Sequence, residues 1–198
     1  MKKVILIGDS IRMGYQPFVR QELADCANVW GPEENGGTSA NVLAHLDEWA
    51  ISRPAEIIHL NCGLHDLGGA FGAADPGALL SQYRANLEEI FGRILDETGA
   101  RLIWATTTPV NEHWHNENWN WGFDQIQAEG LAYNAASVEI ARRKDILVND
   151  LYSVIMDAGR DTLLQEDGIH FTESGYRVLG RAVARVIRRV MAAGKDGG

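Results

Sequence analysis

Ser10 stands in Gly8-Asp9-Ser10, directly after the chain's first apolar run, Val4-Ile5-Leu6-Ile7. A serine hydroxyl is a weak nucleophile at neutral pH. It needs a base within hydrogen-bond reach, and the base needs a third group to hold its tautomer. Asp167-Gly168-Ile169-His170, far downstream, offers both. His170 can take the Ser10 proton, and Asp167, three residues earlier, can orient the ring from the same loop. Acyl transfer also needs donors aimed at the developing oxyanion. The N–H of Ser10 is one candidate. The N–H of Gly36 is a second, because glycine lets backbone approach a substrate closely. A side chain from Asn61-Cys62-Gly63-Leu64-His65-Asp66 is a third. No other set of residues in the chain proposes a complete chemistry.

These residues must be brought together by the elements around them. Short apolar runs at Lys3–Ile7, Asn28–Trp30, Glu56–Asn61, Leu102–Thr106 and Ile146–Val148 read as strands. Most do not alternate polar with apolar residues, as expected for strands covered on both faces. Helical spacing fills the gaps at 39–51, with Thr38 or Ser39 as N-cap, at 78–97, at 126–143 and at 173–192 after Thr172. Gly99 is a suitable stop for the second of these. Such alternation predicts one α/β domain over residues 1–198, a parallel sheet with helices on both sides. In a parallel sheet, ligands sit beyond the carboxyl ends of the strands. Gly8-Asp9-Ser10, Asn35-Gly36-Gly37-Thr38, Asn61–Asp66 and Thr106-Thr107-Thr108-Pro109 all fall at such ends, so four loops converge on one rim.

Residues 109–124 break the pattern and read as a long loop insertion. Trp114, Trp119 and Trp121, half of the six tryptophans, fall there among polar neighbours. A loop of that length in a compact domain is usually functional. Its rings either pack as an apolar flap or form a wall for a sugar or another flat ligand. His113 and His115 lie in the same stretch, but two histidines without further ligands make no metal site. His45 and His59 fall in a helical and a strand pattern and read as structural.

Composition narrows the partners. Apolar residues make up 45% of the 198, enough for a sizeable core. The formal charge is −9, and basic residues form no long runs. That disfavours nucleic acid and anionic membrane surfaces and favours neutral substrates. Cys26 and Cys62 make neither a disulfide framework nor a zinc site, and Cys62 reads as a small buried residue. Asp9 ends the first apolar stretch too early for a signal peptide, and no run approaches the roughly 20 residues needed to span a bilayer. The expectation is a soluble cytoplasmic protein of undetermined oligomeric state.

Four blocks in order resemble the SGNH (GDSL) hydrolases. Gly8-Asp9-Ser10-Ile11-Arg12-Met13-Gly14 looks like their nucleophile block. Asn35-Gly36-Gly37-Thr38-Ser39 looks like their second block, with Gly36 in the oxyanion position. Gly63-Leu64-His65-Asp66 is similar to their Gly-x-Asn-Asp block, and Asp167-Gly168-Ile169-His170 matches their Asp-x-x-His block. The resemblance implies a flavodoxin-like three-layer α/β/α sandwich with a five-stranded parallel sheet of order 2-1-3-4-5. It also implies ester hydrolysis through an acyl-serine, without a metal or cofactor. One departure stands out: the family's oxyanion asparagine is His65 here. A neutral imidazole can donate one N–H in its place. Alternatively Asn61 supplies the amide, or His65 contacts substrate.

The expected substrate is a short-chain ester, with a carbohydrate O-acetyl group as the specific candidate and Asn61, Trp114, Trp119 and Trp121 as candidate binding residues. A thioesterase or acyltransferase would use the same triad, and a non-catalytic carbohydrate-binding protein could use the same fold.

Overall fold

The computed structural model describes residues 1–67, 76–119 and 126–193. Five strands, β1 (Lys2–Ile7), β2 (Ala27–Trp30), β3 (Ile57–Leu60), β4 (Arg101–Ala105) and β5 (Leu147–Asn149), form one sheet of order β2-β1-β3-β4-β5. Every pairing is parallel, with Val4 beside both Val29 and Ile57, and Ile7 beside Leu60. The order expected from the family resemblance is the order found.

The non-alternating strands are explained by two cores. Ile5 and Ile7 of β1, with Ile58 and Leu60 of β3, enter one core, together with Phe91 and Trp104. Val4 and Leu6, with Ile57, enter the other, together with Tyr15, Phe171 and Leu179. Successive side chains on a strand point to opposite faces, so a strand buried on both faces must be apolar throughout. Truncating a residue such as Leu6, which is 0% exposed, to alanine costs about 2–5 kcal/mol in such a core.

Helices α2 (Ser39–Ala44), α3 (Pro76–Glu97) and α5 (Ile126–Arg143) cover the first core. Helices α1 (Ser10–Glu22), α6 (Leu151–Asp157) and α8 (Glu173–Ala193) cover the second. Thr38 caps α2, its Oγ1 accepting the Asn41 N–H, and Thr172 Oγ1 accepts the Gly175 N–H at the start of α8. The helical pattern over 39–51 is interrupted: α2 stops at Ala44, and a π-type turn over Asp47–Ile51 follows. Gly99 does not act as a left-handed stop; Thr98 Oγ1 bonds the Ile94 carbonyl at the end of α3 instead.

The segment expected as a loop also differs. Residues Glu112–Trp119 form a helix, α4. Asn111 begins it by accepting the Trp114 N–H on its side chain, which is an N-cap bond the tryptophan-rich composition hides. A short helix, α7 (Arg160–Leu163), leads towards the Asp167 turn. None of the described helices is long and apolar enough to cross a membrane.

Because all strands run one way, their carboxyl ends share a rim. The chain leaves β1 for β2 on one side and returns to β3 on the other, so the strand order reverses between β1 and β3. The crevice at such a reversal is where open α/β sheets take ligands. The β1 strand ends at Ile7, three residues before Ser10, and β3 ends five residues before His65.

Candidate active site

Ser10 is the first residue of α1. Asp9 precedes it as N-cap, its Oδ1 accepting the Ile11 N–H at 2.9 Å. The first N–H groups of a helix have no intrahelical acceptor, so the Ser10 N–H is available at a position favourable to negative charge.

The base and its carboxylate come from one tight turn. Leu164 and Phe171 pair as an antiparallel bridge, and Gln165 donates its N–H to the His170 carbonyl at 2.7 Å. Inside that closure, Asp167 Oδ1 accepts the N–H of Ile169 at 2.9 Å and of His170 at 2.8 Å. This is an Asx-type turn, the local structure that aspartate favours. Its other oxygen, Oδ2, lies 2.6 Å from His170 Nδ1. His170 Nε2 lies 2.9 Å from Ser10 Oγ. Burial pushes the Asp167 carboxyl up, but the two N–H groups and the His170 ring outweigh it and hold the group below the usual carboxylate range. Asp167 is therefore ionised at neutral pH, which makes Nδ1 the protonated nitrogen and leaves Nε2 to accept the Ser10 proton. The structure brings Ser10, His170 and Asp167 together in one run of contacts.

Two further loops are tied in beside Ser10, one of them directly to the turn that carries it. Gly36 donates its N–H to the Gly8 carbonyl at 3.0 Å, and the Gly36 carbonyl accepts from Asn41 Nδ2 at 2.9 Å. This differs from the expectation of an N–H at Gly36 open to substrate: both its N–H and its C=O bond within the protein. The glycine is required by proximity, since a Cβ there would lie 2.8 Å from the Gly8 oxygen. Asp66 holds the third loop. Its carboxylate accepts the Ser39 N–H on both oxygens, at 3.0 and 2.9 Å, as well as the Ser39 hydroxyl. That bond ties the residue beside His65 to the start of α2.

His65 itself is half-buried, and among the described residues no hydrogen-bond partner takes its buried Nε2. Asp9 lies close enough to both His65 and His170 to be acted on by their charge. Burial nevertheless raises the Asp9 carboxyl above its ordinary value.

The remaining candidates fall elsewhere. Asn61 donates its Nδ2 to the Ala105 carbonyl at 2.9 Å, a tie between the ends of β3 and β4 that is 44 residues apart in sequence. Trp114 is half-buried against the core beneath α1 and α8. Trp119 ends α4, but its side chain, like Trp121 as a whole, lies outside the described residues. His113 pairs with Glu117, while His115 Nδ1 lies on the Asp167 carbonyl, so the two histidines serve different partners. His59 is buried in the sheet, and burial pulls its pKa down to about 3. His45 stacks on Trp49 with ring centroids 4.7 Å apart. A shallow, open hollow lies between Leu64, Leu67 and Thr107–Val110, and neither Ser10 nor His170 lines it.

The sequence gives no sign of two residues that bond to this site, Arg12 and His115. One is a charged residue inside an amphipathic helix and the other is half of a histidine pair suggestive of metal.

The family model described as GDSL-like lipase/acylhydrolase matches residues 6–178. The chain belongs to the GDSL-like lipase/acylhydrolase family. It is thus a carboxylic ester hydrolase. A lipase/acylhydrolase from Enterococcus faecalis has a similar structure, at 23% identity and TM-score 0.77, over 94% of this chain and 95% of that one. The acetylxylan esterase Axe2 from Geobacillus stearothermophilus is similar at 19% identity and TM-score 0.74, over 93% of each chain. The acetyl xylan esterase AlAXEase is similar at 16% identity and TM-score 0.73, over 93% of this chain and 99% of that one. No curated protein matches the chain.

Proposed function

We propose that this GDSL-family protein is a serine esterase that removes short acyl groups, carbohydrate O-acetyl groups in particular, through an acyl-Ser10 intermediate. The observation that carries the mechanism is the run of contacts from Ser10 Oγ to His170 Nε2, 2.9 Å, and from His170 Nδ1 to Asp167 Oδ2, 2.6 Å. Ser10 Oγ attacks the ester carbonyl as its proton passes to His170 Nε2. Asp167 stabilises the imidazolium that forms. The Ser10 N–H and the ring of His65 receive the oxyanion. His170 then returns the proton to the leaving alcohol. Water, deprotonated by the same nitrogen, releases the acid and restores Ser10.

Two points support a short acyl group on a neutral sugar. The net charge of −9 repels anionic substrates. Two of the structural neighbours are named as acetylxylan esterases.

Hydrolysis of acetyl, butyryl and octanoyl aryl esters tests the acyl length, and acetate release from acetylated xylo-oligosaccharide tests the acceptor. A serine-directed phosphonate should label Ser10 once per chain. Ser10→Ala should lose labelling and about a thousandfold or more of the turnover. Normal turnover in Ser10→Ala removes the mechanism. A preference for octanoyl ester removes the short-chain assignment alone.

A further inference from the structure

We propose that Arg12 is a positioning residue that clamps the glycine loop, residues 32–36, to the nucleophile turn of this esterase; the proposal rests on the reading of Ser10 as nucleophile. Arg12 lies in α1 two residues after Ser10 and is 1% exposed. Among the described residues its guanidinium bonds no carboxylate. Instead, Nη1 donates to the Pro32 carbonyl at 2.9 Å and to Gln16 Oε1 at 3.1 Å. Nη2 donates to the Glu34 carbonyl at 2.8 Å and the Gly8 carbonyl at 3.3 Å, and Nε reaches the Gly8 carbonyl at 3.4 Å.

Taking a cation out of water carries an effective penalty of several kcal/mol, about as much as many folds have to spare. An apolar residue would fill the same core-facing position without that penalty. The surrounding backbone is also shaped to admit the side chain. A Cβ on Gly8 would lie 2.7 Å from Arg12 Cβ, and one on Gly31 would lie 3.2 Å from Nη1 and 2.2 Å from Gln16 Oε1. The first glycine makes room for the stem and the second for the head.

The acceptors define what is held. Gly8 O receives Arg12 and also the Gly36 N–H. Pro32 and Glu34 lie on the path into Gly36. One planar fork therefore joins residues 32–36 to the peptide just before Asp9, the residue that caps α1 and fixes Ser10. Lysine cannot replace it, because an ammonium is a single point that cannot span carbonyls lying in several directions. Without the clamp, the nucleophile turn is free to shift against His170 and the oxyanion donors. A misplacement of about 1 Å can cost about 10²-fold in rate.

The test uses the full chain with Arg12→Lys, Arg12→Met, Gly36→Ala and the double variant Arg12→Lys/Gly36→Ala. Active sites are counted with the phosphonate, folding is followed by circular dichroism, and aryl acetate kinetics are expressed per labelled site. We expect full labelling, with phosphonylation and kcat slowed about 10- to 100-fold and KM changed by less than about twofold. Lysine should restore little over methionine. The double variant should be scarcely slower than the worse single one, because both changes act on one contact. If Arg12→Met does not fold, the Arg12→Lys cycle carries the test. A lowered melting temperature with unchanged kcat per site in Arg12→Lys means a merely structural arginine and overturns the proposal, as do fully additive losses. Absence of labelling in the unmodified protein overturns the Ser10 reading and the clamp with it.

Discussion

His115 donates its Nδ1–H to the main-chain carbonyl of Asp167 at 2.8 Å. The donor must be the ring, since a carbonyl only accepts. The bond joins α4 to the turn that carries both the Asp167 carboxylate and the His170 imidazole. One residue further along that turn, the Asn111 N–H donates to the Gly168 carbonyl at 2.7 Å. Gly168 has φ +71°, and a Cβ there would lie 2.3 Å from the Asn111 oxygen. The close approach of α4 depends on that glycine. The tryptophan-bearing segment is thus a brace for the turn that carries Asp167 and His170.

Removing the brace should loosen Asp167 without touching it. In His115→Ala the Asp167 carbonyl loses its donor, at a cost of about 1–3 kcal/mol if it stays buried. We expect kcat to fall about tenfold while KM stays nearly constant, because the geometry of the base changes and the substrate surface does not. His115→Asn places an amide N–H near the position of Nδ1 and should recover most of the loss. Steady-state kinetics with urea melts of both variants check this. Wild-type kcat in His115→Ala would dismiss the brace.

Asp167→Asn should nearly abolish turnover, by about 10⁴-fold as in serine triads generally, because an amide favours the wrong imidazole tautomer. It should also change the acid limb of stability. The folded carboxyl titrates below its ordinary value near 3.8. Its contribution is therefore complete above that value and is lost as pH falls through the folded pKa. The asparagine variant should melt lower than wild type at neutral pH, with the gap closing as pH drops below about 4. A gap that stays constant down to pH about 2.5 would refute the linkage.

How far the sequence revealed this site depends on what each residue bonds. The meeting of Ser10, His170 and Asp167 was legible because the chemistry proposed for them restricts the residue types: serine at a strand end, and aspartate three residues before histidine. The strands were legible because burial on both faces removes polar residues, as in Val4–Ile7. The N-cap of α4 was not, because Asn111 looks like any polar loop residue until the Trp114 N–H is found on it. Gly36 was read as a close backbone approach to substrate, and in the structure its N–H meets the turn before Ser10. Glycine announces a close approach in sequence without saying what approaches, and here it is the Gly8 carbonyl. Arg12 was invisible for a similar reason: its partners are mainly backbone carbonyls, which leave no trace in residue type.

Asp9 should weaken the fold that it helps to build. Burial raises its carboxyl above 3.8, although the charges of His65 and His170 and the N–H groups of Ile11 and Arg12 oppose the shift. The folded state thus holds a proton more tightly than the unfolded chain. Stability falls as pH rises from the unfolded value through the folded one, and the penalty is complete only above the folded value. Asp9→Asn keeps an acceptor for the Ile11 N–H and removes the charge. Its melting temperature should exceed that of wild type at pH about 7, with the advantage shrinking towards pH about 4. A variant less stable than wild type at neutral pH would show that attraction to Arg12 and the histidines outweighs burial.

His65 stands where the Gly-x-Asn-Asp block that Gly63–Asp66 resembles has asparagine, and its buried Nε2 has no partner among the described residues. A buried, unpaired ring nitrogen is costly, and a negative oxygen arriving in the transition state would offset that cost at the moment of reaction. His65→Asn retains an N–H donor and should keep turnover within about tenfold of wild type, since removing a donor outright costs about 10²–10³-fold. His65→Leu fills similar volume without a donor and should show the full loss in kcat with little change in KM. Phosphonate labelling should slow in parallel, because phosphonylation uses the same donors. Equal and severe loss in both variants, with labelling unimpaired, would move His65 from oxyanion stabilisation to substrate binding.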